Sequence, residues 1–529
     1  MKQTSLLKRL RVILAILFFV PIILYFVDFA NLLPDSLHGL LHLQIVPAIL
    51  AGILWIIIAQ LLLVLVFGRL YCSVICPAGV LQDIINRIYC IGKKKKNGKR
   101  RFRYKKPMNW FRYGLLAITT LLALVGSIEL LLLLDPYSNF GRVAANLFRP
   151  LVIWGNNLIA DVLMKFDNYT LYHVTIETIT IPSLIAGAVV LLLFIGLVAW
   201  RGRLFCNTLC PVGSLLGLIS RYSLLNINFD KNACIQCGKC EKSCKAEAID
   251  MASMHVDNSR CVDCFNCISS CSKDALHYSI NPLFKNKEIN KDTVKTANVS
   301  SSRRSFLSTG ITVASTVPLA AALAEQVNGP KRHRERAHGE ENEANWSPVT
   351  PPGSISLERF KDTCTGCHLC VVQCPTHILK PAGLEYGFDY LLKPHLSYNS
   401  SYCNYECTVC SDVCPNHAIK PLTVEQKITT QVGIAHFIKH RCIVEIDGTD
   451  CGACSEHCPT QAVKMVPYKG DLRIPQVEPE ICIGCGGCES ICPARPARAI
   501  IIKANEVHLL AEKPKEEEIK EVVVDEFGF

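Results

Sequence analysis

The sequence predicts an α-helical membrane domain of four spans with an internal parallel repeat, followed by smaller α+β segments organised around cysteines. Three observations carry that reading. Apolar runs crowd the first 200 residues, so the 50% hydrophobic content of the 529-residue chain is unevenly spread. Within that apolar region a single motif recurs 134 residues later, as GRLYCSVICPAG from Gly68 and GRLFCNTLCPVG from Gly202. Beyond residue 230 lie six groups of four cysteines, 24 of the chain's 29.

The first span occupies residues 12–27, after the basic start MKQTSLLKRLR. A cleaved secretory signal would need a small-residue site after the apolar run, and none follows. Further spans are expected over 45–67, over 115–134 with a flank from Trp110, and over 181–200, each near the twenty residues that a bilayer requires. Residues 87–106 hold eleven Lys or Arg, whereas 28–44 and 135–180 are richer in Asp and Glu. The positive-inside bias then places both ends of this domain, residues 1–225, in the cytoplasm.

The repeated motif brings Cys72, Cys76, Cys206 and Cys210 into one argument. An even number of spans between copies makes parallel repeats, so the four thiols should meet at one membrane edge, with Pro77 and Pro211 opening short helices. They form a metal site or dithiol redox centre on one reading, and small buried packing residues on the other. Arg69 and Arg203 either offset thiolate charge or face lipid head groups. Cys90 belongs to no group. His38 and His42, one turn apart before the second span, suit interfacial hydrogen bonding or a quinol contact. Glu129 is a carboxylate inside an apolar run, which points to function by default, although Asp135 nearby favours an interfacial place.

Residues 226–281 read as a two-cluster unit. CIQCGKCEKSC and CVDCFNCISSC each place three thiolates at i, i+3 and i+6 and a fourth beyond. That spacing wraps a cubane, and the last Cys of each run ligates the other cluster. One 4Fe-4S centre is thus expected on Cys234, Cys237, Cys240 and Cys271, and its neighbour on Cys261, Cys264, Cys267 and Cys244. Zinc also accepts CxxC pairs, but two matching four-Cys runs exceed a zinc site's needs. Four more groups follow in residues 348–529: Cys364, Cys367, Cys370, Cys374; Cys403, Cys407, Cys410, Cys414; Cys442, Cys451, Cys454, Cys458; and Cys482, Cys485, Cys488, Cys492. Pro follows the last Cys of each, as in bacterial ferredoxin runs. Regular outer groups around stretched inner ones suggest nested pairing. Cys492 would then complete the first cluster and Cys374 the last, with Cys414 and Cys458 exchanged between the middle pair. Six 4Fe-4S clusters result, with the membrane cysteines as a candidate seventh metal site.

The linker, residues 282–347, carries adjacent Arg303 and Arg304 before a mildly apolar run over 305–324. This looks like a twin-arginine export signal or a fifth span, and it favours a C-terminal unit on the far side of the membrane. Polar residues 335–353 read as a tether.

The two CxxxCP loops followed by a two-cluster segment resemble NapH, a membrane ferredoxin-type protein, and its relatives in the NosR and CcoG groups. Residues from Arg303 onward resemble NapG and MauM. The resemblance implies a bacterial inner-membrane, multi-pass protein that takes electrons from quinol and passes them to a periplasmic redox protein or reductase. A CcoG-like copper reductase or maturation factor, and a wiring subunit of a larger oxidoreductase, are the other classes. No nucleotide-binding fingerprint and no CxxCH is present; GCGGC from Gly484 is a cluster turn. The net charge of +11 comes with no base-reading motif, so no nucleic acid is expected, and no catalytic residue is assigned. A hydrocarbon core about 30 Å thick is too wide for one hop, which makes a mobile quinol the expected bridge between the two units.

Overall fold

A computed structural model describes residues 3–30, 32–34, 38–97, 102–176, 179–281 and 347–513. Arg303, Arg304, the apolar run 305–324 and the tether up to residue 346 lie outside the described residues, as do the side chains of residues 91–100. The helical region comprises α1 (Gln3–Val27), α2 (Leu54–Phe67), α3 (Pro77–Asn97), α4 (Asn109–Leu124), α5 (Pro136–Val143), α6 (Arg149–Met164), α7 (Ile181–Arg201) and α8 (Pro211–Ser220), with shorter turns between them.

The four-span expectation is corrected to two. Among the described residues, only α1 over Leu6–Val27 and α7 are long and apolar enough to cross a membrane. The stretch 45–67 is apolar throughout, but Gly52 takes φ +71° and divides it into a short helix, Ile45–Leu50, and the 14-residue α2. Gly126 at φ +91° likewise separates the 16-residue α4 from Glu129–Leu134. At 1.5 Å per residue, α2 and α4 extend only about 21 and 24 Å, short of the roughly 30 Å core. The parallel repeat of helical halves is not present either. Its first motif follows α2 and folds as a short α-helix, Tyr71–Val74, whereas the second follows the longer α7 and folds as a π-helix, Phe205–Leu209.

The two long helices position everything else. Near its start α1 holds Arg11 against Asp83, and at its end the Tyr25 carbonyl accepts from Gln373 Nε2 at 2.5 Å. α7 opens with a Thr180–Ser183 capping box, in which Thr180 Oγ1 also donates to the Pro381 carbonyl, and closes with Arg201 paired to Glu247 at 2.9 Å. Residues 226–281 therefore sit at one end of both helices and residues 347–513 at the other. The 21 residues of α7, bracketed by the Thr180 and Arg201 contacts, separate those ends by about 32 Å.

Both cysteine units are built from hairpins and single-turn helices. In the first, β1 (Leu225–Phe229) pairs antiparallel with β2 (Leu276–Ile280), Leu225 opposite Ile280. The pair is tied to the helical region where Leu224 N–H donates to the Leu65 carbonyl and the Tyr278 hydroxyl to that of Phe67. The second unit contains the longest pair, β3 (Thr430–Phe437) with β4 (Ile500–Leu510). Every described sheet has two strands, so the units lack a conventional layered core and their cysteines occupy the middle.

Candidate metal centres

In the four regular groups the backbone makes the same turn twice. The residue before the second Cys and the residue after it both have positive φ: Gln236 and Gly238, Asp263 and Phe265, Gly366 and His368, Gly484 and Gly486. These reversals fold the chain around the first two thiols, and the last residue of each pair opens the short helix that carries the third. The stretched groups lack the second reversal, since Thr408 and Gly452 precede their helices at φ −113° and −122°.

Each cradle draws its fourth thiol from a neighbouring group. Cys234, Cys237, Cys240 and Cys271 line one space, as the spacing predicts. Cys244 faces Cys261, Cys264 and Cys267. In the second unit the nested pairing is corrected to a sequential one. Cys414 joins Cys364, Cys367 and Cys370, and Cys374 joins Cys403, Cys407 and Cys410. Cys492 joins Cys442, Cys451 and Cys454, and Cys458 joins Cys482, Cys485 and Cys488. Groups adjacent in sequence share a hairpin, and regularity of spacing carries no information about that proximity.

The donor sets suit iron–sulfur clusters. Three of the cradles each border one hollow with four cysteines. Backbone N–H groups already point at the sulfurs, from Ala275 to Cys271 at 3.3 Å and from Ile419, Ala435 and Ala499 to Cys414, Cys482 and Cys492 at 3.4 Å. Burial pushes the Cys364, Cys454 and Cys485 thiols up to about 12. A bound cationic core is what releases such protons.

Cys72, Cys76, Cys206 and Cys210 do come together, buried where the two loops meet. Arg69 donates to the Cys206 carbonyl at 3.0 Å and Arg203 to that of Cys72 at 2.9 Å, so each loop's guanidinium grips the opposite loop. Both arginines are buried, and neither is free to face lipid head groups. Asp83, which spacing does not mark, accepts from Arg203 and also pairs with Arg11 and Lys245. Burial alone would raise its pKa, but Arg203, Lys245 and Arg11 hold it well below the usual carboxylate range. Cys90 stands apart on α3, partly exposed.

Helix α5 links this site to the C-terminal unit. Asp135 caps it, accepting from Ser138 N–H at 2.7 Å, and Pro136 follows at its first position. Asp135 lies within electrostatic reach of Tyr71, the residue before Cys72. At the other end Arg142 donates to the carbonyls of Thr365 at 2.9 Å and Gly366 at 3.1 Å, inside the first turn of the C-terminal unit. A Cβ on Gly141 would stand 2.4 Å from the Cys367 carbonyl, so only glycine allows this contact. Sequence reading missed α5 as a site, although Asp-Pro is a recognisable helix start.

Glu129 is at the interface with the C-terminal unit, beside Lys393 and Asp362, and hydrogen bonds to Ser127. His38 packs against Tyr25, and His42 against His417 with ring centroids 5.4 Å apart. Burial and His417 both lower the His42 pKa.

Comparison with known proteins agrees on cofactor class. A family described as a 4Fe-4S binding domain matches residues 48–99 and 180–232, and another so described matches 226–249. Families described as 4Fe-4S dicluster domains match 363–418 and 449–495, and also 257–378. The chain is 25% identical over 207 residues to a putative electron transport protein, YccM, of Escherichia coli, covering 37% of this chain and 47% of that one. It is 24% identical over 203 residues to the methylamine utilization ferredoxin-type protein MauN of Paracoccus denitrificans, 38% of this chain and 53% of the relative. MauM of Methylobacillus flagellatus is 30% identical over 157 residues, 27% and 63% of the two lengths. The chain spans about half the length of the first of these relatives, and no solved structure matches it. The chain is thus distantly related to ferredoxin-type 4Fe-4S electron-transfer proteins, and the matches do not single out the NapH and NapG groups. It carries several 4Fe-4S binding modules and two helices of membrane-crossing length.

Proposed function

We propose that this protein is a membrane-embedded electron conduit whose two cysteine units, holding six 4Fe-4S clusters, serve redox partners on opposite faces of a bacterial inner membrane. The observation that carries this reading is the seating of the units at opposite ends of α1 and α7. The chain's own residues set the spacing, exclude water and hold thiolates, while the clusters supply one-electron chemistry when bound. The basic stretch 87–106 favours the cytoplasm for residues 226–281, which leaves residues 347–513 on the periplasmic side. Protease added to intact spheroplasts should digest the C-terminal unit and spare the first. Digestion of both or of neither would overturn the arrangement.

A quinol donor is a second reading. It is favoured by the edge-to-face packing of His42 on His417, three residues beyond Cys414. Reduced menaquinol analogue mixed with membrane-embedded protein should bleach the clusters of the C-terminal unit in stopped flow. Absence of bleaching, with a soluble ferredoxin exchanging electrons readily, would remove quinol from the pathway.

A further inference from the structure

We infer that Cys72, Cys76, Cys206 and Cys210 hold a seventh iron–sulfur cluster, a fixed relay between the two units that makes a mobile carrier unnecessary. The inference rests on the conduit reading and concerns how the electron crosses.

The first support is the site's construction. All four thiols are 3–4% exposed and come from two loops locked by reciprocal arginine bonds. Donors are aimed at the sulfurs: Gln82 Nε2 lies 3.2 Å from Cys206 Sγ and Gly213 N–H 3.2 Å from Cys210 Sγ, with Arg69 and Arg203 at 3.8 and 3.9 Å from Cys72 and Cys206. Such donors are what thiolate ligands require and what tunes a cluster's potential. Packing alone explains buried thiols but not donors directed at three of them.

The second support is charge. Arg69 and Arg203 are buried beside the thiols, Arg203 paired with Asp83 and Arg69 within electrostatic reach of Asp263. Arg69 hydrogen bonds only to Asn207 Oδ1 and to the Ser259 and Cys206 carbonyls besides Cys72, and its Nε has no partner. Guanidinium stays charged in proteins, and a buried charge is costly without an opposite one. Four thiolates around a cluster core would place a net negative group beside these two guanidinium groups.

The third support is position. On one side Arg69 joins the site to Ser259, two residues before Cys261. On the other, Tyr71 leads to Asp135 and α5, whose Tyr137 faces Cys367 and Cys414. The step is a single electron transfer: iron in the Cys244–Cys261–Cys264–Cys267 cluster is oxidised by one electron and iron at the tetrad reduced by one. The tetrad then returns to its oxidised state as the Cys364–Cys367–Cys370–Cys414 cluster is reduced. No bond or proton changes, and the same path runs in reverse when the donor is on the other face.

The test uses anaerobically purified full-length protein and a Cys72→Ser/Cys206→Ser variant. At four iron per cubane, the natural chain should hold about 28 iron and the variant about 24, a loss of about two instead indicating a two-iron cluster. One paramagnetic resonance signal should vanish while the other six persist, which also shows that the variant has folded. In case it does not fold, Gln82→Leu removes a single donor to Cys206 and should move the midpoint of one signal to lower potential without touching the rest. Equal iron in both proteins, stoichiometric zinc, or a Gln82→Leu variant with every potential unchanged would overturn the cluster. Sidedness in spheroplasts tests the conduit itself and is unaffected by any of these results.

Discussion

The two cysteine units differ in number of modules and in how they grip the helices. The first is one two-cluster module, held by two buried ion pairs, Lys245 to Asp83 and Arg201 to Glu247, and by Arg69 donating to the Ser259 carbonyl. The second is two such modules in tandem, and it is held by guanidinium and amide groups donating to backbone carbonyls, Arg142 to Thr365 and Gly366 and Gln373 to Tyr25. The ion pairs make the first junction sensitive to protonation, whereas the carbonyl contacts of Arg142 and Gln373 at the second are indifferent to it. The two units are thus attached to the helices in two ways, one of them adjustable by pH.

The largest effects come from breaking the tandem arrangement. Cys492→Ser should cost one cluster, about four iron, and Cys442→Ser combined with it should cost no more, because both thiols serve one centre. Combining Cys492→Ser with Cys364→Ser should cost about eight on the same count. Nested pairing reverses the two outcomes, so iron analysis of the double variants discriminates between them.

Next in size is the ionic junction. Asp83→Asn leaves Arg203, Lys245 and Arg11 buried without their carboxylate, a change that typically costs about 3–5 kcal/mol. Thermal unfolding in detergent should show this at pH 7. Because the Asp83 pKa is depressed in the folded state, its contribution is fully present above the unfolded value near 3.9 and lost as pH falls further. The gap between natural protein and variant should therefore be constant from about pH 7 to 5 and narrow below about pH 4. The corresponding loss for Arg142→Met, at the other junction, should show no such narrowing. A gap that closes equally for both variants would refute the contrast.

Cysteine spacing anticipated how the thiols group and that Cys244 and Cys271 change places, because three thiols three residues apart leave little freedom. It could not show which C-terminal groups are neighbours, since that depends on hairpins such as Leu379–Pro381 with Pro394–Leu396. Apolar content suggested four spans because hydrophobicity does not register a turn; Gly52 and Gly126 end helices inside stretches that remain apolar. Asp83 and Arg142 were invisible for another reason. Asp83 is the one acidic residue of α3 and Arg142 the one charged residue of α5, and their main partners come from segments far away in sequence.

The smallest effect separates the units at one backbone position. Before the second Cys of each regular group the chain adopts positive φ, and there the C-terminal unit has Gly366 and Gly484 while the first has Gln236 and Asp263. A side chain in that region costs about 1–2 kcal/mol, and glycine loses about 0.5–1 kcal/mol more backbone freedom on folding. Gln236 is exposed, and the hydrogen bond it makes to Cys234 Sγ uses the backbone N–H, which substitution keeps. Gln236→Gly should therefore stabilise the first unit by up to about 1 kcal/mol, read as a higher urea midpoint for loss of cluster absorbance. The converse exchange at Gly484 should fail, because a Cβ there would stand 2.6 Å from the Gly433 carbonyl; Gly484→Ala is expected to lower the midpoint of the second unit. If Gln236→Gly lowers the midpoint instead, the glutamine side chain contributes more at the surface than its backbone strain costs, and the two units do not share one turn geometry under the same constraint.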